Sequence, residues 1–272
     1  MSTPSPPTGV RAHIHSDLFP IGSIEDGTDE EVARAEAWLR EHGCTHARGP
    51  MGATTWHAYR AVVESDGRPS FLGEPQFSPS VWLNRGYTPC AHYASALAPN
   101  TTQSASAEER SIRLASEGWH ARGLEAFSSF DDALTSFHRI STTAFAHAFA
   151  YTPLPIDAFR AMYAPIEPMV DPRMVLTAFG PNGKAAGFCF AIPDRLNPDR
   201  KEFIVKTLAV DPAHRQAGIG SWLTGLAHSI AHDLGWTAGG IHALMWSDSH
   251  SQDISKHAGH VFRRYALYEK AL

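Results

Sequence analysis

The sequence predicts an α/β (α+β) fold, a mixed sheet flanked by helices, with a smaller amino-terminal domain ahead of it. Three observations predict it. An apolar run rich in β-branched residues (204–210) meets Asp211-Pro212, then a helix in which Ile219, Leu223, Leu226, Ile230 and Leu234 recur at helical spacing. Two apolar runs, 174–179 and 185–192, flank Pro181-Asn182-Gly183-Lys184, a hairpin signature because both central residues tolerate positive φ. In the amino-terminal third, Thr28-x-x-Glu31 is a capping box that opens a helix through Val32, Ala35, Trp38 and Leu39.

Taken in order, residues 1–10 are rich in Pro, Ser and Thr and read as a disordered tail. One or two strands follow over 13–25, then the capped helix, which Gly43 ends. A short strand is expected over 44–47, and a loop at Gly49-Pro50-Met51-Gly52. Residues 56–97 are interrupted by Pro69, Pro75 and Pro79, leaving a helix over 78–84 and a strand over 87–97. Residues 11–98 therefore form one domain, and the small polar residues 99–109 form a linker. The second domain, 110–272, follows a helix beginning near Ala107. It opens with a strand over 119–126, then a helix over 131–150 carrying Ala133, Phe137, Ile140, Phe145 and Phe149 at helical spacing. Pro153-Leu154-Pro155 stops that helix, and Ile156 to Tyr163 forms another. The hairpin, the strand ending at Val210 and its helix come next. A strand over 241–246, a brief helix over 250–257 and a closing strand over 262–268 complete the chain, with one last strand shortened or missing.

Composition narrows the function. The chain has 272 residues, 43% of them apolar, and a formal charge of −5, which supplies a core but no basic footprint for nucleic acid. No apolar run approaches membrane-spanning length and the first residues lack a signal pattern, so a soluble cytoplasmic protein is expected. Cys44, Cys90 and Cys189 are too few and scattered for a disulfide framework. His42-x-Cys44-x-His46 would align three soft ligands along an extended strand, yet no fourth stands at a recognisable spacing, and no metal is expected.

The chemistry lies where strand meets helix. A helix that opens on glycines exposes backbone N–H groups at the positive end of its dipole, a site for phosphate oxygens. Gly218 and Gly220 allow close approach and Arg215 adds a permanent cation. The run Arg215-Gln216-Ala217-Gly218-Ile219-Gly220 resembles the Gln/Arg-x-x-Gly-x-Gly/Ala motif of the GNAT superfamily of N-acetyltransferases. Gly-x-Gly-x-x-Gly and Gly-Lys-Ser/Thr are both absent.

The resemblance implies a GNAT fold with a mostly antiparallel sheet, and acetyl-CoA or another acyl-CoA as co-substrate. It places the CoA pyrophosphate on amides from Gln216 to Ser221, including Ala217, Gly218, Ile219 and Gly220. It lays the pantetheine arm along Leu208, Ala209 and Val210 and adds Ser251 to the contacts. The amino-terminal half resembles the degenerate half of tandem GNAT proteins, with Gly49-Pro50-Met51 and Arg85-Gly86-Tyr87 as landmarks. Its helix entry carries Glu25, Asp26, Asp29, Glu30 and Glu31, which satisfy the dipole and would repel a pyrophosphate. That half is either one wall of the acceptor site or scaffold.

Acyl transfer from a thioester needs a base for the amine, a donor for the oxyanion and an acid for the thiolate. Tyr265 is the candidate acid. Lys206 stands where the family places a base, but a solvated lysine is protonated and suits a carboxylate instead. Two alternatives to transfer onto a small-molecule amine remain. Some GNAT-like domains decarboxylate malonyl-CoA and pass the acyl group to a carrier-protein thiol with a threonine and a histidine; Thr207 and His242, on neighbouring strands, fit that pattern. The other is a non-catalytic acyl-CoA sensor.

Overall fold

The computed structural model describes residues 4–99, 105–245 and 259–272. β1 (Ala12–Ile14) and β2 (Ile21–Ile24) precede α1 (Asp29–Glu41), β3 (His46–Gly49), β4 (Ala61–Ser65), α2 (Ser80–Asn84) and β5 (Thr88–Pro99). Then come α3 (Ala105–Ser116), β6 (His120–Arg122), α4 (Phe130–Ala144), α5 (Ile156–Tyr163), β7 (Val175–Phe179) and β8 (Ala185–Pro193). β9 (Glu202–Val210), α6 (Ile219–Asp233), β10 (Gly239–Met245) and β11 (His260–Ala271) end the chain.

Local chemistry explains most boundaries. At α1 the Glu31 N–H donates to Thr28 Oγ1 at 3.3 Å, and the Thr28 N–H donates to Glu31 Oε2 at 2.7 Å, closing the capping box. Gly43 sits just past that helix at φ +84°, where a Cβ would be strained. α4 is shorter than its apolar spacing suggests. Phe145 caps it, its N–H bonded to the Ser141 carbonyl, and Ala150 takes φ +56° in the turns that follow.

Other expectations shift as well. Val10 packs on the amino-terminal core, so the tail is ordered at least there. The strand expected over 44–47 is β3, displaced by two residues, and the one over 119–126 shrinks to β6 before a 3₁₀ turn. The helix expected near Ala107 starts at Ala105, within the supposed linker. Phe179 pairs with Ala185, so the hairpin loop holds five residues and only Gly183 adopts positive φ, 73°. β4 was not anticipated: beyond Ala61 its Glu64 and Ser65 are exposed, and nothing alternates. Trp246, the 250–257 helix and Ser251 lie outside the described residues.

The strands form one sheet in the order β1-β2-β3-β11-β5-β10-β9-β8-β7-β6, with β4 also paired to β11. Two strand–helix–strand units repeat in it. β2 and β3 are parallel with α1 between them, as β9 and β10 are with α6 between them. Each unit completes its sheet with the other's final strand: β11 pairs with β3, β5 pairs with β10, and β5 and β11 pair with each other. The strand that seemed missing beside β10 is therefore supplied by β5, from the amino-terminal segment.

Two apolar layers sandwich the carboxy-terminal strands. Phe137, Ile140, Phe159 and Tyr163 of α4 and α5 pack on Phe188, Phe190, Ile204 and Ile241. Ile219, Trp222, Leu223 and Ala227 of α6 pack on the opposite face, against Cys189, Phe203 and Val205. Among the described residues, no helix is long and apolar enough to cross a membrane.

Candidate functional site

A split in the sheet creates the site. β9 and β10 pair in parallel only from Glu202–Gly239 to Val205–His242. Beyond that, β10 stays with β5 as far as Met245–Tyr93, while β9 stays with β8 as far as Val210–Gly187. The edge of β9 from Lys206 to Val210 thus faces a wedge, and among the described residues no strand pairs with its backbone groups on that side. Leu208 and Val210 also pack beneath α6, whereas Ala209 faces the α4–α5 layer.

At the wide end of the wedge stands the start of α6. Asp211 accepts the Ala213 N–H at 3.0 Å, a 3₁₀ turn spans Pro212–Ala217, and Gly218 enters the helix at φ +81°. Among the described residues no side chain caps this helix. The N–H groups of Ile219, Gly220 and Ser221 have no carbonyl within the helix, so they and the dipole point outward. A Cβ on Gly220 would meet only Leu208 and Val210, at an ordinary 3.7 Å. Packing does not require glycine there; its absent side chain leaves the amides bare.

No sequence motif marks the helix that flanks this entry. α3 packs on α6, with Ser111 Oγ accepting from Trp222 Nε1 at 3.2 Å. It brings two guanidiniums. Arg113 Nη2 donates to the Ala217 carbonyl at 2.7 Å, and the Arg110 stem lies 3.3 Å from where a Gly218 Cβ would be. Arg215, expected at the mouth, is exposed and donates from Nη2 to the Ala144 carbonyl at 2.5 Å, tying the loop to the end of α4. Gln216 is exposed and Ser221 half-buried.

A bulge sets the side chains in the wedge. Val205 pairs with Ala191 and Thr207 with Phe190, so Lys206 is the extra residue. Simple alternation puts Thr207 on the α6 face; the bulge turns it to the α5 face with Lys206. Its Oγ1 lies 3.4 Å from Tyr163 Oη, and Lys206 Nζ sits 5.9 Å from the centre of the Tyr163 ring. Burial pushes the Tyr163 phenol up to about 12. Desolvation of its stem lowers the Lys206 ammonium, although the residue is exposed.

His242 belongs elsewhere. Its Nε2 lies 3.1 Å from His228 Nε2 of α6, on the far face of the sheet. Burial, then the neighbouring His228, lowers it to about 3; burial lowers His228 to about 4. Thr207 and His242 do not converge, because the sheet lies between them. Tyr265 is also displaced from the expected role. It is fully buried on β11, donates to Glu74 Oε1 and lies 3.1 Å from Ser95 Oγ, and burial raises its pKa.

Among the described residues the first unit holds no comparable opening. Its helix entry is closed by the capping box, Leu39 lies over Gly22, and Trp82 lies over Gly49, each where a Cβ would clash. His42, Cys44 and His46 do not converge: His42 bonds the Trp38 carbonyl and His46 bonds Thr45. Among the described residues no group of His, Cys, Asp or Glu could hold a metal. A surface groove of about 450 Å³ between His46, Thr88 and Lys270 lies at the β3–β11 side, away from the wedge. The amino-terminal segment nonetheless borders the wedge face, since Trp56 packs edge-on against Phe145, Tyr151 and Phe159.

No family model matches the sequence, and no curated protein matches it. Solved structures do. A GCN5-related N-acetyltransferase from Sphaerobacter thermophilus aligns with TM-score 0.56 and 15% identity over 96% of this chain and 76% of its own. A GCN5-related glucosamine N-acetyltransferase region of a fungal multi-domain β-N-acetylglucosaminidase aligns with TM-score 0.58 and 12% identity, over 92% of this chain but 29% of that one. These likenesses, with the split sheet and the uncapped helix, define the class: the chain has the GCN5-related N-acetyltransferase (GNAT) fold. More particularly, its architecture is tandem. A tandem GNAT protein from the clavulanic acid biosynthesis pathway aligns with TM-score 0.53 and 12% identity over 93% of this chain and 75% of its own.

Proposed function

We propose that the protein is an acyl-CoA-dependent acyltransferase that moves an acetyl or other short acyl group directly to the amine of a small-molecule acceptor. One observation carries the reading: the bare α6 amides adjoin a free strand edge in the same strand–turn–helix unit. In this reading the CoA diphosphate sits on the amides of Ile219, Gly220 and Ser221, with Arg110 and Arg113 beside it. The pantetheine arm pairs with β9 from Lys206 to Val210, which brings the thioester to the bulge.

The acceptor amine attacks the thioester carbon and loses a proton, the C–S bond breaks, and the thiolate takes a proton. A backbone N–H at the bulge is placed to donate to the oxyanion. Tyr163 is protonated at neutral pH and is placed to supply the thiolate proton through its hydroxyl. The amine proton passes to water at the wedge, with the exposed Lys206 beside it. The decarboxylation alternative loses its pair, because Thr207 and His242 are on opposite faces. The test is steady release of CoA thiol from acetyl-CoA against mixed amines, with mass spectrometry of the product. Acyl-CoA binding without turnover on any amine would favour the sensor reading.

A further inference from the structure

Of the three buried arginines among the described residues, Arg48 and Arg263 have carboxylate partners, as do the half-buried Arg68 and Arg85. Arg48 pairs with Glu269, Arg68 with Glu202, Arg85 with Glu36, and Arg263 with Glu74. Arg60 is different. It is 8% exposed, yet among the described residues its guanidinium reaches neither a hydrogen-bond acceptor nor a carboxylate, and its Nε is buried without a partner.

Three tyrosine rings hold it instead. The guanidinium carbon lies 4.6 Å from the ring centre of Tyr265 and 5.1 Å from those of Tyr59 and Tyr93. Ring faces favour a cation but do not neutralise it. The nearby carboxylate of Glu74 has both oxygens engaged, one by Tyr265 and one by Arg263. Arg60, Arg263 and Glu74 together thus keep one positive charge in excess. A buried charge in this state is the kind that a bound counter-ion completes. The backbone is strained at the same residue: Arg60 takes φ +71° while its N–H bonds the Pro50 carbonyl at 2.9 Å.

Its place in the sheet says what that counter-ion belongs to. Leu97 and Phe262 pack with α4 and α5, so Tyr93, four residues before Leu97, shares their face, and Tyr265 is directly opposite Tyr93. Lys206, Thr207 and Tyr163 occupy that face too. Tyr93 pairs with Met245, three residues beyond the Val205–His242 pair, level with the part of β9 that follows the bulge. On the same face of β10, opposite Ser95, Ala243 is small and exposed. Two to three strand spacings, about 10–14 Å and more where β9 and β10 part, therefore separate Arg60 from the bulge.

We infer that Arg60, from the amino-terminal half, receives an anionic group, a carboxylate or a phosphate monoester, at the far end of the amine that accepts the acyl group. The inference rests on the acyltransferase reading. It makes the amino-terminal half a specificity wall.

The test compares matched amines: 6-aminohexanoate with 6-aminohexanamide, and 6-aminohexyl phosphate with 6-aminohexanol, each with acetyl-CoA. Wild type should prefer at least one anionic member by tenfold or more in kcat/KM, chiefly through KM, and the preferred pair tells carboxylate from phosphate. Arg60→Met should reduce that ratio to less than threefold, and Arg60→Lys should leave an intermediate one. A wild-type ratio near one for both pairs, or a ratio unmoved in Arg60→Met, overturns the inference. If Arg60→Met does not fold, the wild-type ratio and Arg60→Lys decide. If no amine is acylated, calorimetry with 6-acetamidohexanoate and 6-acetamidohexyl phosphate decides. Binding to wild type that Arg60→Lys weakens sustains the anion site while the transferase reading falls; no binding to wild type removes the anion site as well.

Discussion

Replacing Gly220 with aspartate separates folding from ligand binding, because the two should move in opposite directions. The new Cβ meets protein atoms only at 3.7 Å, so the side chain fits. Removing a helical glycine and adding an acid to the first turn of α6 together gain about 1 kcal/mol, which raises Tm by about 2 °C. The same carboxylate would lie about 4 Å from a diphosphate on the α6 amides. At an effective dielectric constant near 20 that repulsion is about 4 kcal/mol, and salt screening leaves roughly half. Coenzyme A affinity should fall by about 30- to 1,000-fold, and the loss should shrink as salt is raised from about 0.05 to 0.5 M. Calorimetry and thermal unfolding on one preparation measure both effects. An affinity within threefold of wild type, in a protein with raised Tm, would refute the placement of the diphosphate.

Arg110→Ala and Arg113→Ala should each weaken coenzyme A about tenfold, the scale of one charge-assisted hydrogen bond, without raising KM for the acceptor; equilibrium titration and initial rates check both. Tyr163→Phe should lower kcat about 100-fold, the low end for a general acid, with coenzyme A affinity unchanged by calorimetry. The histidine pair predicts a pH effect on stability. Burial holds His228 near 4 and His242 near 3, below the ordinary value of 6.5, so the unfolded chain binds more protons between pH 4 and 6.5. Stability should fall as pH drops through that window, by up to about 1.4 kcal/mol per pH unit for each histidine. In urea unfolding at pH 7.5 and 4.5, the His228→Phe/His242→Phe variant should lose less than wild type.

Much of this could be read from neighbouring residues in sequence. The capping box, the glycine after α1 and the strand–turn–helix at Gly218 are local devices, and each appears where its pattern stands. What the pattern missed is non-local. Nothing near Thr88 says that β5 will lie between β10 and β11, since that pairing joins residues far apart in the chain. The bulge at Lys206 breaks the alternation that assigns Thr207 to a face, and so the expected convergence with His242 fails. Arg110 and Arg60 carry no motif. One is delivered by helix packing, and the other is caged by rings from β5, β11 and its own neighbour Tyr59.

The most direct measurement is a crystal structure of the protein with coenzyme A. Density for the diphosphate on the amides of Ile219, Gly220 and Ser221, with the pantetheine arm against β9 between Lys206 and Val210, is the predicted result. Coenzyme A bound at another place, with those amides vacant or covered by protein, would contradict it.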